Sequence, residues 1–353
     1  FDEGGFDESA YARAVAEHLG TEHHEMRVTA KMAQDLIPTL PWMYDEPFAD
    51  SSQIPTQLVC KAARQHVTVA LTGDAGDELF GGYNRYFWGP RIWNRLRHVP
   101  LALRLSLTKL LVMIPIHLWD RVGETFSGSK HGVVRLGEKL HKLSEAVDGA
   151  KELGDLYVNL LSTSTDPASL VIQDNRNRAL SSPQTLSTIL DDPLPHKGVA
   201  QSPLPMMYQD ALIYLPDDIL CKVDRAAMAC SLETRVPFLD HRVVELAWQL
   251  PLHMKVHGNA GKWALRQVLH KHVPKELIER PKAGFAIPVG QWLRGPLRDW
   301  AGSLLDEGRL IAEGYLKPAP IRQAWQEHLS GRRDHTSRLW TILMFQAWLE
   351  QNP

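Results

Sequence analysis

The sequence predicts an α/β fold, a small parallel sheet followed by a large, mainly helical C-terminal half. Three observations predict it. The first 72 residues alternate helical and strand-like patterns, the order of βαβ units. The run Val67–Thr72 is β-branched and nearly all apolar, as strands covered on both faces are. Beyond Tyr86 the pattern turns helical or irregular and stays so.

Taken in chain order, Asp7 is placed to cap a helix that runs through Glu17 and ends at Gly20, and His23–Val28 reads as a short strand. A helix over Lys31–Tyr44 breaks near Pro38 and Pro41, and Pro55 opens another that reaches about Gln65. The strand Val67–Thr72 follows. Pro100–Trp119 is the most apolar stretch, but Arg104, Lys109 and Pro115 interrupt it. A membrane span needs ~20 mostly apolar residues, so this stretch reads as a buried or partner-facing helix. Ser162–Pro205 is rich in Ser, Thr, Asp and Pro and reads as a loop excursion. Helices are then predicted over about Met206–Ser231, Asp240–Gln249, Lys262–His272 and His335–Glu350.

Composition narrows the function. Of 353 residues, 44% are hydrophobic and 23% charged, values of an ordinary globular chain and not of a disordered one. A formal net charge of −2 provides no global field for nucleic acid or an anionic membrane, so neither is expected as a partner. Cys60, Cys221 and Cys230 form no Cys-x-x-Cys pair, which points to reduced thiols and a cytoplasmic location.

The densest chemical signal is Leu71–Tyr83, which leaves the predicted strand at its C-terminal end, the edge where open α/β sheets bind ligands. Gly73 and Gly76 allow close backbone approach. Asp74, Asp77 and Glu78 place three carboxylates within five residues, which suits Mg²⁺ held with substrate phosphates or a general base. The pattern alone equally suits an acidic helix start after a glycine turn. A second signal runs from Leu215 to Asp240: Lys222, Asp224 and Arg225 lie in an otherwise apolar helix, and Glu233 and Arg235 follow. Such charges are paired or functional, and by themselves they read more readily as a solvated face with a structural ion pair. The third signal is Gly261-Lys262 with Arg266, then Arg280–Phe285, where lysines beside glycines can hold phosphate or be ordinary surface residues. No Gly-x4-Gly-Lys-Ser/Thr, His-Glu-x-x-His or Gly-x-Ser-x-Gly motif occurs.

In this order, His18–Glu25, Asp45–Ser52, Gly73–Tyr83, Leu215–Asp240, Gly261–Arg266 and Arg280–Phe285 resemble the synthetase domain of glutamine-dependent asparagine synthetases over nearly the whole chain. The resemblance implies a sheet of the ATP-pyrophosphatase (adenine nucleotide α-hydrolase-like) type. It implies one synthetase domain over 1–353, with 86–204 as a variable, largely helical insert within it. It also implies that ATP and Mg²⁺ activate a carboxylate, that of aspartate by expectation, as an acyl-adenylate. Ammonia from a glutaminase domain then attacks, giving asparagine, AMP and pyrophosphate.

Residue by residue, Thr72 and Gly73 match backbone contacts to the adenylate, and Asp77 matches a Mg²⁺ ligand. Lys262 matches a phosphate contact. Lys282 matches a lysine that stabilises charge on the α-phosphate. Asp74 stands where many relatives carry a Glu linked to proton transfer from the ammonia nucleophile. Asp224, Glu233 and Arg235 match pocket and substrate-positioning residues. The family's Ser-Gly-Gly-x-Asp-Ser pyrophosphate loop and glutaminase domain do not occur in this sequence, so the chain alone is expected to be inactive. A homodimer fits the resemblance. Two alternatives stay open: amide formation on another carboxylate (a sugar acid, a peptide or a β-lactam precursor), or a non-catalytic nucleotide-binding relic.

Overall fold

The computed structural model describes residues 9–126, 136–164, 166–172, 202–258, 260–279 and 287–352. The fold is mixed α/β, mostly helical with a small parallel sheet. Its helices, in chain order, are α1 Ser9–Leu19, α2 Ala30–Leu36, α3 Leu40–Tyr44, α4 Gln53–Arg64, α5 Gly76–Phe80, α6 Arg85–Leu96 and α7 Leu101–Met113. Next come α8 Ile116–Phe126, α9 Leu136–Val147, α10 Leu153–Leu161, α11 Leu204–Gln209, α12 Cys221–Met228, α13 His241–Gln249 and α14 Leu252–Lys255. The chain ends with α15 Trp263–Leu269, α16 Lys275–Ile278, α17 Val289–Arg294, α18 Arg298–Leu304, α19 Glu307–Glu313, α20 Pro318–Leu329 and α21 Thr336–Gln351. The two strands are β1 Val69–Leu71 and β2 Glu233–Arg235. Two compact units form, one from the described parts of 1–87, 207–287 and 351–353, the other from those of 88–206 and 288–350.

In the first unit, the predicted helix over Lys31–Tyr44 is present and breaks where expected. A 3-10 turn at Ile37–Thr39 separates α2 from α3, because Pro38 and Pro41 lack the N–H that a continuous α-helix needs. β1 and β2 pair in parallel, Val69 opposite Glu233 and Leu71 opposite Arg235. The pairing extends beyond the strands: the Glu233 N–H donates to Thr68 O at 2.9 Å and the Thr72 N–H donates to Arg235 O at 2.9 Å. The sequence led us to expect both faces of β1 to be covered. Instead, Leu71 is 73% exposed, while Ala70 packs with Cys60, Ala226, Ala227 and Leu232. Helices α4 and α12 thus cover one face, and side chains that alternate along a strand leave the other open. His23–Val28 forms no strand. Its charged groups turn to local partners, Glu25 accepting from Arg13 at 2.7 Å, and no strand among the described residues pairs with it. A second core joins Ala75, Leu79 and Phe80 of the motif region to Leu215, Ala247 and Phe238.

In the second unit, the apolar stretch Pro100–Trp119 divides into α7 and α8 at Pro115. No helix among the described residues is long and apolar enough to cross a membrane. Arg104 of α7 is buried and donates to Val99 O at 3.1 Å and Ala150 O at 2.8 Å, which fixes α7 against the end of α9. Leu339, Trp340 and Leu343 of α21 are buried. His328 of α20, fully buried, has Nε2 3.1 Å from Gly290 O and accepts at Nδ1 from the His335 N–H at 3.3 Å.

Candidate functional site

The site grows out of the end of β1. Strand geometry stops at Leu71, and the chain turns through Gly73-Asp74-Ala75 into α5. Ala75 adopts a left-handed conformation, φ 65°, which is costly for a residue with a Cβ. Ala75 is buried in the Leu79–Phe80–Leu215 core, and that packing holds the turn in place. At this turn the Thr72 hydroxyl is buried without a partner, and a Cβ on Gly73 would meet nothing within 4 Å. A buried, unpaired polar atom beside open space fits a ligand contact.

Lys262 reaches the same place from a distant part of the sequence. A Cβ on Gly261 would lie 2.4 Å from Gly81 O, so only glycine lets the two backbones approach. The Lys262 N–H donates to Phe80 O at 3.1 Å. Lys262 is itself left-handed, φ 53°, and its Nζ lies 2.8 Å from Asp77 Oδ2. Both side chains are about a quarter exposed, at 27% and 28%.

Glu78 turns away from this pair. It is buried and accepts from the Tyr83 hydroxyl at 2.5 Å. Burial raises its pKa and that of Tyr83. Next to them the Arg85 guanidinium lies 3.9 Å from the Tyr83 ring centroid and 4.9 Å from that of Tyr214. It pairs with the fully buried Asp210 at 2.8 Å, which also accepts from the Tyr86 hydroxyl.

Asp210–Leu220 is π-helical. Pro216 within it removes a donor and forces the wider turn. This segment carries Tyr214 and Asp218 and leads into α12 with Lys222. Lys222 Nζ lies 2.6 Å from Asp50 Oδ2, and Asp50 also accepts from the Ser52 N–H at 2.9 Å and hydroxyl at 2.6 Å. Burial pulls the Asp50 pKa upward, but Lys222 and Ser52 outweigh it and the value is lowered. Asp218 is the opposite case. Burial and the neighbouring Asp50 push it up to about 6. Asp218 therefore keeps its proton to a higher pH than Asp50, which Lys222 holds ionised.

The structure therefore gathers Thr72, Gly73, Asp74, Asp77 and Lys262 around one turn. Arg235 sits opposite Leu71 and lends its carbonyl to Thr72, but its side chain is exposed and pairs with Glu233 at 2.7 Å. Asp224 is exposed on α12, 3.4 Å from Arg225. Lys282 lies outside the described residues. The sequence reading singled out neither Asp50 nor Asp218, and it marked Lys222 only as a charge in an apolar helix. The signal that could have found them is Asp50 inside the Asp45–Ser52 motif and two adjacent aspartates, Asp217-Asp218, beside Pro216.

Asp77 with Asp74 meets the modest demand of Mg²⁺, one or two carboxylates with substrate phosphates completing the shell. No group of three or more His, Cys, Asp or Glu among the described residues forms an all-protein metal cage.

A family model described as asparagine synthase matches residues 1–350. The chain belongs to the asparagine synthase family. It is 28% identical to a glutamine-hydrolysing asparagine synthetase of Bacillus subtilis over 348 residues, which covers 99% of this chain and 50% of that protein. It is 33% identical over 351 residues to a protein of Mycobacterium tuberculosis provisionally named a glutamine-hydrolysing asparagine synthetase, covering 99% and 49%. An amidase of Gibberella zeae, chry2, is 24% identical over 351 residues, covering 94% and 48%. The chain thus spans about half the length of the relatives it matches.

Proposed function

We propose that this chain supplies the synthetase chemistry of a glutamine-dependent asparagine synthetase: ATP-dependent formation of an amide from a carboxylate, aspartate in the first instance, and ammonia. A carboxylate oxygen of the substrate attacks the α-phosphorus of ATP, and pyrophosphate leaves. Ammonia then adds to the acyl carbon of the adenylate, and AMP leaves. The observation that carries this reading is the Asp77–Lys262 pair at the C-terminal end of β1, 2.8 Å apart, beside the unpartnered Thr72 hydroxyl. The sheet would be of the ATP-pyrophosphatase type.

Each residue has a task that follows from its chemistry. The Thr72 and Gly73 backbone would lie along the adenylate, where open space permits close approach. Lys262 would exchange Asp77 for phosphate oxygens, stabilising charge as it develops. Asp77 would hold Mg²⁺, which would shield the phosphates and make pyrophosphate a better leaving group. Asp74 would take the proton released when ammonia adds. Lys282 would assist at the α-phosphate, and Asp224, Glu233 and Arg235 would shape the substrate pocket. The range 1–353 would act as one synthetase domain with 86–204 as its variable insert, working with a glutaminase domain and a pyrophosphate loop, in the cytoplasm and as a homodimer.

A second reading is amide formation on a different carboxylate, since one relative carries the name amidase and not asparagine synthetase. Pyrophosphate release from ATP, Mg²⁺ and ammonium, measured across aspartate and a panel of other acids, tests both. It is run on this chain and on a form joined to a pyrophosphate loop and glutaminase domain. Turnover of aspartate by the joined form alone is the expected result. Turnover of another acid in place of aspartate transfers the reading to that substrate, and no turnover with any acid overturns it.

A further inference from the structure

The second unit holds a cavity of about 910 Å³, walled by α7, α9, the residues after α10 and the start of α21. That lies within the ~300–1,000 Å³ of small-molecule pockets. Five cationic side chains line it: Lys109, Lys142, Arg332, Arg333 and Arg338. None of them forms an ion pair within 4.0 Å among the described residues. The Arg338 Nε is buried with no hydrogen-bond partner, and burial lowers the pKa of its guanidinium. Glu145, Asp166 and Glu327 act on it only at longer range.

Three of the four carboxylates that line the cavity are occupied, and the fourth, Glu145, is exposed on α9. Asp148 accepts from the Thr108 hydroxyl at 3.1 Å. Glu327 is 2.9 Å from His335 Nε2 and accepts from Gln323. Asp334 accepts from the Thr336 N–H at 2.8 Å and from its hydroxyl. The cavity therefore offers unused cationic donors and few unused acceptors. Val112, Met113, Ile116 and Leu160 add an apolar wall.

A buried guanidinium donor without a partner is costly, and the planar fork of arginine matches the oxygens of carboxylate and phosphate. We propose that this cavity binds a small anion that has an apolar body and carries phosphate or carboxylate groups. The lysines and arginines hold the oxygens, and the apolar wall of Val112, Met113, Ile116 and Leu160 holds the body. This inference rests only on the second unit and is independent of the chemistry assigned to the end of β1.

Isothermal titration with 1-naphthyl phosphate and with 2-naphthoate tests it and distinguishes the two anion classes, with neutral 1-naphthol as control. At least one anion is expected to saturate the protein at millimolar concentration, more weakly as salt rises. Lys109→Glu, Lys142→Glu and Arg338→Met are each expected to weaken binding about tenfold or more. Lys109 and Lys142 are exposed, so their variants keep the fold and answer the question if Arg338→Met does not. Lys262→Ala, in the other unit, is expected to leave the affinity unchanged. The proposal is overturned by failure of both anions to bind, by equal affinity for 1-naphthol, by unaltered affinity in Lys109→Glu and Lys142→Glu, or by loss of binding in Lys262→Ala.

Discussion

The two units treat awkward backbone and buried charge differently. Among the described residues, the four non-glycine residues with positive φ, Asp45, Ala75, Ser231 and Lys262, lie in the first unit. In the second, the positive-φ positions among the described residues are all glycine: Gly149, Gly314 and Gly331. Buried charge divides less cleanly. The first unit sets Asp50 against Asp218 and buries Lys255 with its Nζ unpaired. In the second, buried Arg104 and His328 find backbone carbonyls, and the Arg338 Nε beside the cavity finds no partner. Strain and like-charge crowding persist where surrounding structure over-determines them, and they gather at sites. The backbone contrast marks the first unit as the one shaped for chemistry and the second as one packed around its cavity.

The largest test of that contrast is Lys262→Gly. Glycine accepts φ 53° without strain, so relief of that strain works against loss of the Asp77 ion pair and the entropy added to the unfolded chain, and the melting temperature should barely move. Pyrophosphate release in the joined form should fall about 100- to 1,000-fold, as when one preorganised charge-stabilising group is removed. An active Lys262→Gly protein would make Lys262 a structural residue and remove the observation on which the proposed function rests.

The packing unit should reveal itself through acid. Burial, then Arg294, depresses His328 to about 4 from 6.5. Its neutral form is the one folded, so its contribution is complete above pH 6.5 and is lost as pH falls toward 4. Urea unfolding should show a loss on the order of 2–3 kcal/mol across that window, and His328→Gln should flatten the slope. An equally steep slope in the variant would place the acid sensitivity elsewhere.

Asp218 should behave in the opposite way. Its folded pKa, about 6, lies above 3.8, so its favourable contribution is complete below pH 3.8 and gone above 6. Asp218→Asn should therefore stabilise the protein at pH 7.5, on the order of 1–2 kcal/mol, while slowing amide formation. A variant that is more stable and fully active would separate the Asp50–Asp218 pair from the site.

How much of this was legible in the sequence depended on how local the cause was. The turn after β1 and the break of Lys31–Tyr44 at its prolines arise within a few residues and could be read directly, whereas Pro100–Trp119, read as one helix, divides at Pro115 into two. β2 could not, because Glu-Thr-Arg carries no apolar alternation and becomes a strand only when β1 lies beside it. Nor could the Asp50–Lys222 pair, whose partners are 172 positions apart and meet only through the packing of α4, the π-helical turn and α12. His23–Val28 failed for the converse reason, since its pattern suits a strand but no strand pairs with it. The Asp77–Lys262 meeting lies between these cases. Each half was visible as a glycine-flanked charge, and only the contact of Gly261 with Gly81 joins them.

The smallest test uses Ser231 as a foil for Lys262. Both are left-handed, φ 58° and 53°. Ser231, however, is exposed just beyond the end of α12, where its N–H donates to Met228 O and the Leu232 N–H donates to Ala227 O. Helix ends favour glycine there for its conformation alone. Ser231→Gly loses no ion pair and no buried methyl, so strain relief exceeds the entropy added to the unfolded chain, and stability should rise by about 0.5–1 kcal/mol. Activity should not change. Equal activity losses in Ser231→Gly and Lys262→Gly would mean that backbone conformation, and not the lysine's charge, is what the site requires.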